Sequence, residues 1–183
     1  MRSIIVSEYM ALDGVIEAPM WTTPFWSDEI AKFKFDELFA SDALLLGRVT
    51  YQGFAQAWPS MSDPQGFADR MNNLPKYVPS TTLDEATWNA ELIKENVVAA
   101  INALKEQPGE NILVYGSGKL VRTLLDNNLV DELHILLYPV VVGAGQRLFD
   151  EGSQPQGLTL TESRSFASGV VLLSYHPTAS SAP

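Results

Sequence analysis

Apolar positions along the chain change period repeatedly, from strand-like to helix-like and back. Ser3 to Tyr9 is rich in β-branched and aromatic residues and predicts a first strand. Ala11-Leu12-Asp13-Gly14 follows as a turn signal, and residues 15–26, with two prolines and two tryptophans, predict a long loop. Ser27 or Asp28 can cap a helix running to about Phe39, with acids in its first turn. Ala43 to Leu46 predicts a buried strand closed by Gly47, and Thr50 to Ala57 a helix. Tyr77-Val78 predicts a short strand before Pro79, which limits ladder bonding there. Leu92 to Lys105 has helical periodicity and stops at Pro108-Gly109. Ile112 to Tyr115 predicts a buried strand, closed by Gly116-Ser117-Gly118, and Leu120, Val121, Leu124 and Leu125 mark the stripe of the next helix. Val130 to Val142 and Gly169 to Tyr175 are the last strands expected. Strands alternating with helices imply an α/β sheet with parallel neighbours, and the strand-rich end implies an antiparallel edge. In such sheets ligands bind beyond the carboxyl ends of the strands, where two glycine loops already sit.

Composition narrows this picture. The 183 residues suit one domain, expected over 1–176, with a small polar tail at 177–183 expected to be flexible. Twelve Lys and Arg against 22 Asp and Glu give a net charge of -10, which argues against nucleic acid and against anionic membranes. There is no cysteine and there are two histidines, so no metal site and no thiolate chemistry is expected, and a cytoplasmic setting fits. The most apolar stretch, Leu133 to Gly145, contains His134 and Pro139 and falls short of the roughly 20 residues a membrane span needs. The same stretch could supply a buried edge or an interface, and a homodimer is expected.

Three strand ends carry groups that suit phosphate. In Gly116-Ser117-Gly118-Lys119-Leu120 a strand runs into glycines and then a helix, where backbone N–H groups and the helix dipole favour an anion. It matches neither a Rossmann fingerprint, since Val121 stands where a third Gly or Ala is required, nor a Walker loop. A tight turn without a ligand is the competing reading. Gly47-Arg48-Val49-Thr50 repeats the pattern with a cation and a hydroxyl, and Ser80-Thr81-Thr82 places hydroxyls beyond another strand. Together they describe one local anion site in an acidic protein. Trp21, Trp26, Phe25 and Phe33 could wall a flat heterocycle or simply pack.

The order Leu12-Asp13-Gly14, Leu45 to Tyr51, Ser80 to Leu83 with Trp88, Val114 to Gly118, and Leu129 to Phe149 resembles the dihydrofolate reductase-like family. The resemblance is to the group containing the reductase domain of the bifunctional riboflavin-synthesis protein, the RibD C-terminal domain. It implies a three-layer α/β/α fold with a mixed, mostly parallel sheet and an antiparallel C-terminal edge, binding NADPH. By that resemblance the Gly116-Ser117-Gly118 turn cradles the pyrophosphate, and Arg48 and Thr50 lie beside phosphates. Ser80 and Thr81 would lie by the adenosine ribose and its 2′-phosphate. Many relatives carry Arg where Thr81 stands, so NADH stays open. Asp13 and Gly14 would lie near the nicotinamide, with Val140 and Gly143 toward the same end. Glu29 overlays the carboxylate that supports protonation in dihydrofolate reductases, with Asp28 or Asp36 as rivals and a solvated helix-terminal acid as the plainer reading. The activity implied is hydride transfer to a C=N or C=O of a small, heterocyclic substrate, with Glu29 and Asp13 as catalytic candidates. The rival is a nucleotide-binding regulatory or interaction module without turnover.

Overall fold

A computed structural model of the chain describes residues 1–149 and 156–178. Among these residues, strands β1 (Ile4–Ala11), β2 (Ser41–Leu45), β3 (Lys76–Pro79), β4 (Ala90–Ile93), β5 (Asn111–Tyr115), β6 (Glu132–Tyr138), β7 (Leu158–Ser165) and β8 (Val171–Pro177) form one sheet. Its order is β4-β3-β2-β5-β1-β6-β8-β7. Every pair from β4 to β6 is parallel, and β8 runs antiparallel to both β6 and β7. Helices α1 (Asp28–Phe39), α2 (Arg48–Ala57) and α3 (Phe67–Asn73) cover one face, and α4 (Val97–Glu106) and α5 (Gly118–Asp126) the other. The architecture is the dihydrofolate reductase-like α/β/α sandwich with an antiparallel edge.

Alternation along the strands sorts the core into two layers. Ile4 and Val6 pack with Ile101, Val121 and Leu124, whereas Ile5 packs with Leu38, Tyr51 and Met71 on the opposite face. A third cluster, around Ile30, Tyr138 and Phe166, lies under the N-terminal half of α1. Ser27 accepts the Ile30 N–H at 3.3 Å and so fixes where α1 begins.

Some expectations shift. The apolar run expected to end at Val142 stops at Tyr138, because Pro139 cannot donate to the ladder. It lies between β1 and β8 and is consumed by the core, not left as a free face. The helix expected from Leu92 starts at Val97, and Leu92-Ile93 belong to β4, parallel to β3. β7 and α3 were not predicted. The tail falls partly outside the described residues; Pro177 closes β8, and the Thr178 N–H donates to the Gly157 carbonyl at 2.9 Å. Among the described residues no helix is long and apolar enough to cross a membrane.

Candidate active site

β1 and β5 separate at their carboxyl ends. Their register stops at Ser7 opposite Tyr115, while β1 continues beside β6 to Ala11 opposite Tyr138. On its β5 side, β1 beyond Ser7 therefore has no strand neighbour. The gap opens a cleft of about 1500 Å³. One end is built by the turn after β5 and the start of α2, and the other by Glu8, Tyr9, Lys34, Phe35 and Trp26.

The first end gathers backbone N–H donors. α2 starts at Gly47 and α5 at Ser117, and neither N-terminus has a side-chain cap or an acid in its first turn. The first amides of a helix have no intrahelical acceptor, so two sets of donors face one space. One hydroxyl ties them together. Ser117 Oγ accepts the Gly47 N–H at 2.8 Å and donates to Thr50 Oγ1 at 3.0 Å. Gly116 and Ser117 both hold left-handed conformations, φ 54 and φ 74, which turn the chain sharply into α5. A Cβ at Gly118 would lie 2.5 Å from Ile16 Cδ1, so a larger residue must push the tip of that side chain aside. Arg48 and Lys119 add cations to the rim.

The second end has a charged floor. Glu8 on β1 lines the cleft, is 2% exposed, and its Oε1 has no hydrogen-bond partner. Burial pushes its carboxyl up to about 8, although the Lys34 ammonium acts to lower it. Lys34 on α1 is equally buried. Its Nζ donates to Ser7 Oγ at 3.0 Å, pairs with Glu37 one turn on, and stands 3.9 Å over the Tyr115 ring. Glu37 in turn meets His134 Nδ1 at 3.2 Å, and His134 Nε2 meets Glu132 at 3.1 Å. Burial opposes charge on Glu37, but Lys34 and His134 more than offset it and hold the carboxyl below its usual range. Burial likewise works to lower His134, but its two carboxylate partners outweigh it and raise the imidazole.

The structure gathers Gly47, Arg48, Thr50, Gly116, Ser117, Gly118, Lys119, Leu120 and Trp26 on the cleft. Other expected residues lie elsewhere. Asp13 braces the chain after β6: its carboxylate accepts the Gly143 N–H at 2.7 Å and the Val142 N–H at 3.4 Å. The Gly143 bond above all lowers its pKa. Val140, Gly143 and Gly14 belong to that brace, not to the cleft wall; the Leu148 N–H donates to the Gly14 carbonyl. Glu29 is exposed and accepts the Ala167 N–H at 2.9 Å, tying α1 to the β7–β8 turn. Trp21 and Phe33 pack with the third core cluster, Trp21 edge-on to Tyr138 and Phe33 edge-on to His134. Ser80 accepts the Thr82 and Leu83 N–H groups and organises its own turn, and Thr81 is exposed beside it. Glu8 and Lys34 were missed. The available signal was a charged residue inside a β-rich strand, and a Lys and a Glu on the same helical face as Ile30 and Leu38. Among the described residues no group of three or more His, Cys, Asp and Glu is placed to hold a metal ion.

Residues 2–172 match the RibD C-terminal domain family. The chain belongs to this family. The uncharacterized protein YyaP of Bacillus subtilis (strain 168) is 33% identical over 178 residues, covering 96% of this chain and 95% of that one. A solved Thermotoga maritima diaminohydroxyphosphoribosylaminopyrimidine deaminase/5-amino-6-(5-phosphoribosylamino)uracil reductase superposes with TM-score 0.68 at 16% identity. That match covers 97% of this chain and 57% of the Thermotoga chain. The dihydrofolate reductase of Enterococcus faecalis, solved in complex with NADP(H), superposes with TM-score 0.65 at 14% identity, covering 97% of each chain. Membership of the family supports a reductase role.

Proposed function

We propose that the protein is an NADPH-dependent reductase, transferring hydride to a C=N or C=O of a small heterocyclic substrate. The carrying observation is the pair of uncapped helix N-termini joined by Ser117 at one end of a single cleft. A diphosphate fits that arrangement. The free amides of Gly118, Lys119 and Leu120 and of Arg48 to Thr50 offer donors. Arg48, on the exposed rim, is the residue assigned to the 2′-phosphate. A bound reduced nicotinamide would supply the hydride chemistry. The chain supplies the rest. The separated ends of β1 and β5 make the slot that orients two flat rings, and Tyr9, Phe35 and Trp26 shield it from water. Thr50 and Ser117 hold the two helix ends at fixed spacing, so anion binding sets the depth of the ring in the slot.

The test is fluorescence titration of the purified protein with NADPH and with NADH. Saturable binding of NADPH, followed by its oxidation in the presence of a pyrimidine, pterin or carbonyl acceptor, is the expected result. Saturable binding without oxidation across that panel would favour a nucleotide-binding module instead. Arg48→Ala should weaken NADPH more than NADH; equal weakening would remove Arg48 from 2′-phosphate recognition.

A further inference from the structure

A reductase cleft of this kind needs a proton as well as a hydride, and the acids expected to give it, Asp13 and Glu29, are both bound to backbone amides outside the cleft. Three carboxyl groups do line it: Glu8, Glu17 and Asp63. Asp63 accepts the N–H groups of Gln65, Phe67 and Ala68 and is held ionised by them, most strongly by Ala68. Glu17 is exposed and accepts the Gln146 N–H at 2.9 Å. Glu8 differs from both: it is buried, an oxygen of its carboxyl is unpartnered, and it sits where β1 has lost its β5 neighbour. The phenols of Tyr9 and Tyr115, which also line the cleft, are pushed well above their ordinary range by burial first, which makes them poor acids.

Resting on the reductase reading above, we propose that Glu8 is the proton donor of this site, acting on a substrate that presents an imine nitrogen or carbonyl oxygen to the floor of the cleft. Its burial holds the carboxyl protonated at neutral pH. With a reduced nicotinamide dinucleotide as two-electron donor, hydride adds to the C=N or C=O carbon and the π pair moves to nitrogen or oxygen. The Glu8 O–H bond breaks as the new N–H or O–H bond forms. The dinucleotide is left oxidised, the substrate carbon reduced, and Glu8 a carboxylate. The charge of Lys34, on the opposite face of β1, favours that carboxylate until water returns the proton as product leaves. Lys34 is thus a positioning residue, itself fixed by Ser7, Glu37 and the Tyr115 ring. The titratable groups around this floor are Lys34 and Glu37 on α1, Tyr115 on β5, His134 on β6 and Tyr9 on β1; Lys34 is the one whose charge acts on Glu8.

The test uses the full chain labelled with carbon-13 at glutamate side chains, wild type and Glu8→Gln, followed by NMR from about pH 3 to about pH 10, a span covering ordinary and raised carboxyls. One carboxyl resonance should titrate near 8 in the wild type and be missing from Glu8→Gln. Titration of every glutamate in the ordinary range overturns the proposal. Glu8→Gln keeps size and polarity, so it should bind NADPH as the wild type does. With an acceptor that the wild type reduces, its kcat should fall about 100-fold or more, the scale of a lost general acid. Wild-type kcat should decline above the Glu8 midpoint, while Glu8→Gln shows no such limb. Undiminished kcat in Glu8→Gln also overturns the proposal. Failure of the wild type to bind NADPH or NADH would instead defeat the reductase reading, since the Glu8 titration is read without cofactor.

Discussion

Ser117 carries more of the cleft than its size suggests. Its Oγ holds the starts of α2 and α5 together and lies 3.1 Å from the Tyr115 carbonyl, an alternative acceptor for its single hydrogen. Its left-handed conformation is strained for a residue with a Cβ and persists because those bonds fix it. Ser117→Ala should cost about 1 kcal/mol of stability, the net worth of a part-buried hydrogen bond, and weaken NADPH more than that figure alone implies. Chemical denaturation and fluorescence titration read the two effects separately. Gly118→Ala is the sharper probe of the cleft wall, because its methyl must displace Ile16. It should fold and bind the dinucleotide at least tenfold more weakly, a loss of about 1.4 kcal/mol. Normal affinity in Gly118→Ala would mean that the anion does not approach this turn.

At the scale of elements, α1 is held to the sheet by charge as well as by apolar burial. Ile30 and Leu38 pack as a helical stripe predicts, yet Lys34 and Glu37 share that face and are buried with them. The chain Ser7–Lys34–Glu37–His134–Glu132 links β1, α1 and β6 under the cleft. Lys34→Ala leaves Glu37 with His134 as its remaining charged partner in the core and should destabilise by about 3 kcal/mol. The network also sets a pH window. Glu37 is depressed in the fold, so its contribution is present above the ordinary carboxylate value and is lost as pH falls through its lower folded value. His134 is raised, so its contribution is complete below the ordinary imidazole value and is lost as pH rises through its folded value. Glu8 is raised, so its burial erodes stability as pH climbs toward 8. Melting temperature should therefore fall as pH rises from the ordinary carboxylate range toward about 8, and His134→Gln and Glu8→Gln should each flatten part of that fall.

The same scale shows what could be read in advance. β1, β5 and the turn into α5 have strong β-branched runs closed by glycine, and their positions follow from pattern alone. β7, by contrast, is almost wholly exposed and reads Leu-Thr-Leu-Thr-Glu-Ser-Arg-Ser, with no sustained apolar face to mark it. β4 carries Glu91 and passes after only three residues into α4, so helical periodicity absorbed its end. α3 is organised by Asp63, whose side chain accepts from Phe67 and Ala68 across a turn rich in Pro and Gly, and local composition disguised it as loop. The anion end of the cleft was legible because backbone geometry dictates its glycines. The proton-bearing end was not, because Glu8 acquires its character only when the fold buries it.

The whole molecule carries a net charge of -10 and still concentrates two helix N-termini, Arg48 and Lys119 on one cleft. Repulsion from the bulk surface disfavours polyanions, while one dinucleotide needs only that local patch. The central claim is that this patch holds a nicotinamide dinucleotide, and direct titration of the purified chain with NADPH tests it. The account predicts saturable tryptophan quenching with a dissociation constant well below about 1 mM, or more than roughly 4 kcal/mol of binding, weakened at least tenfold in Gly118→Ala. Absence of saturable binding to either NADPH or NADH in that range would contradict it.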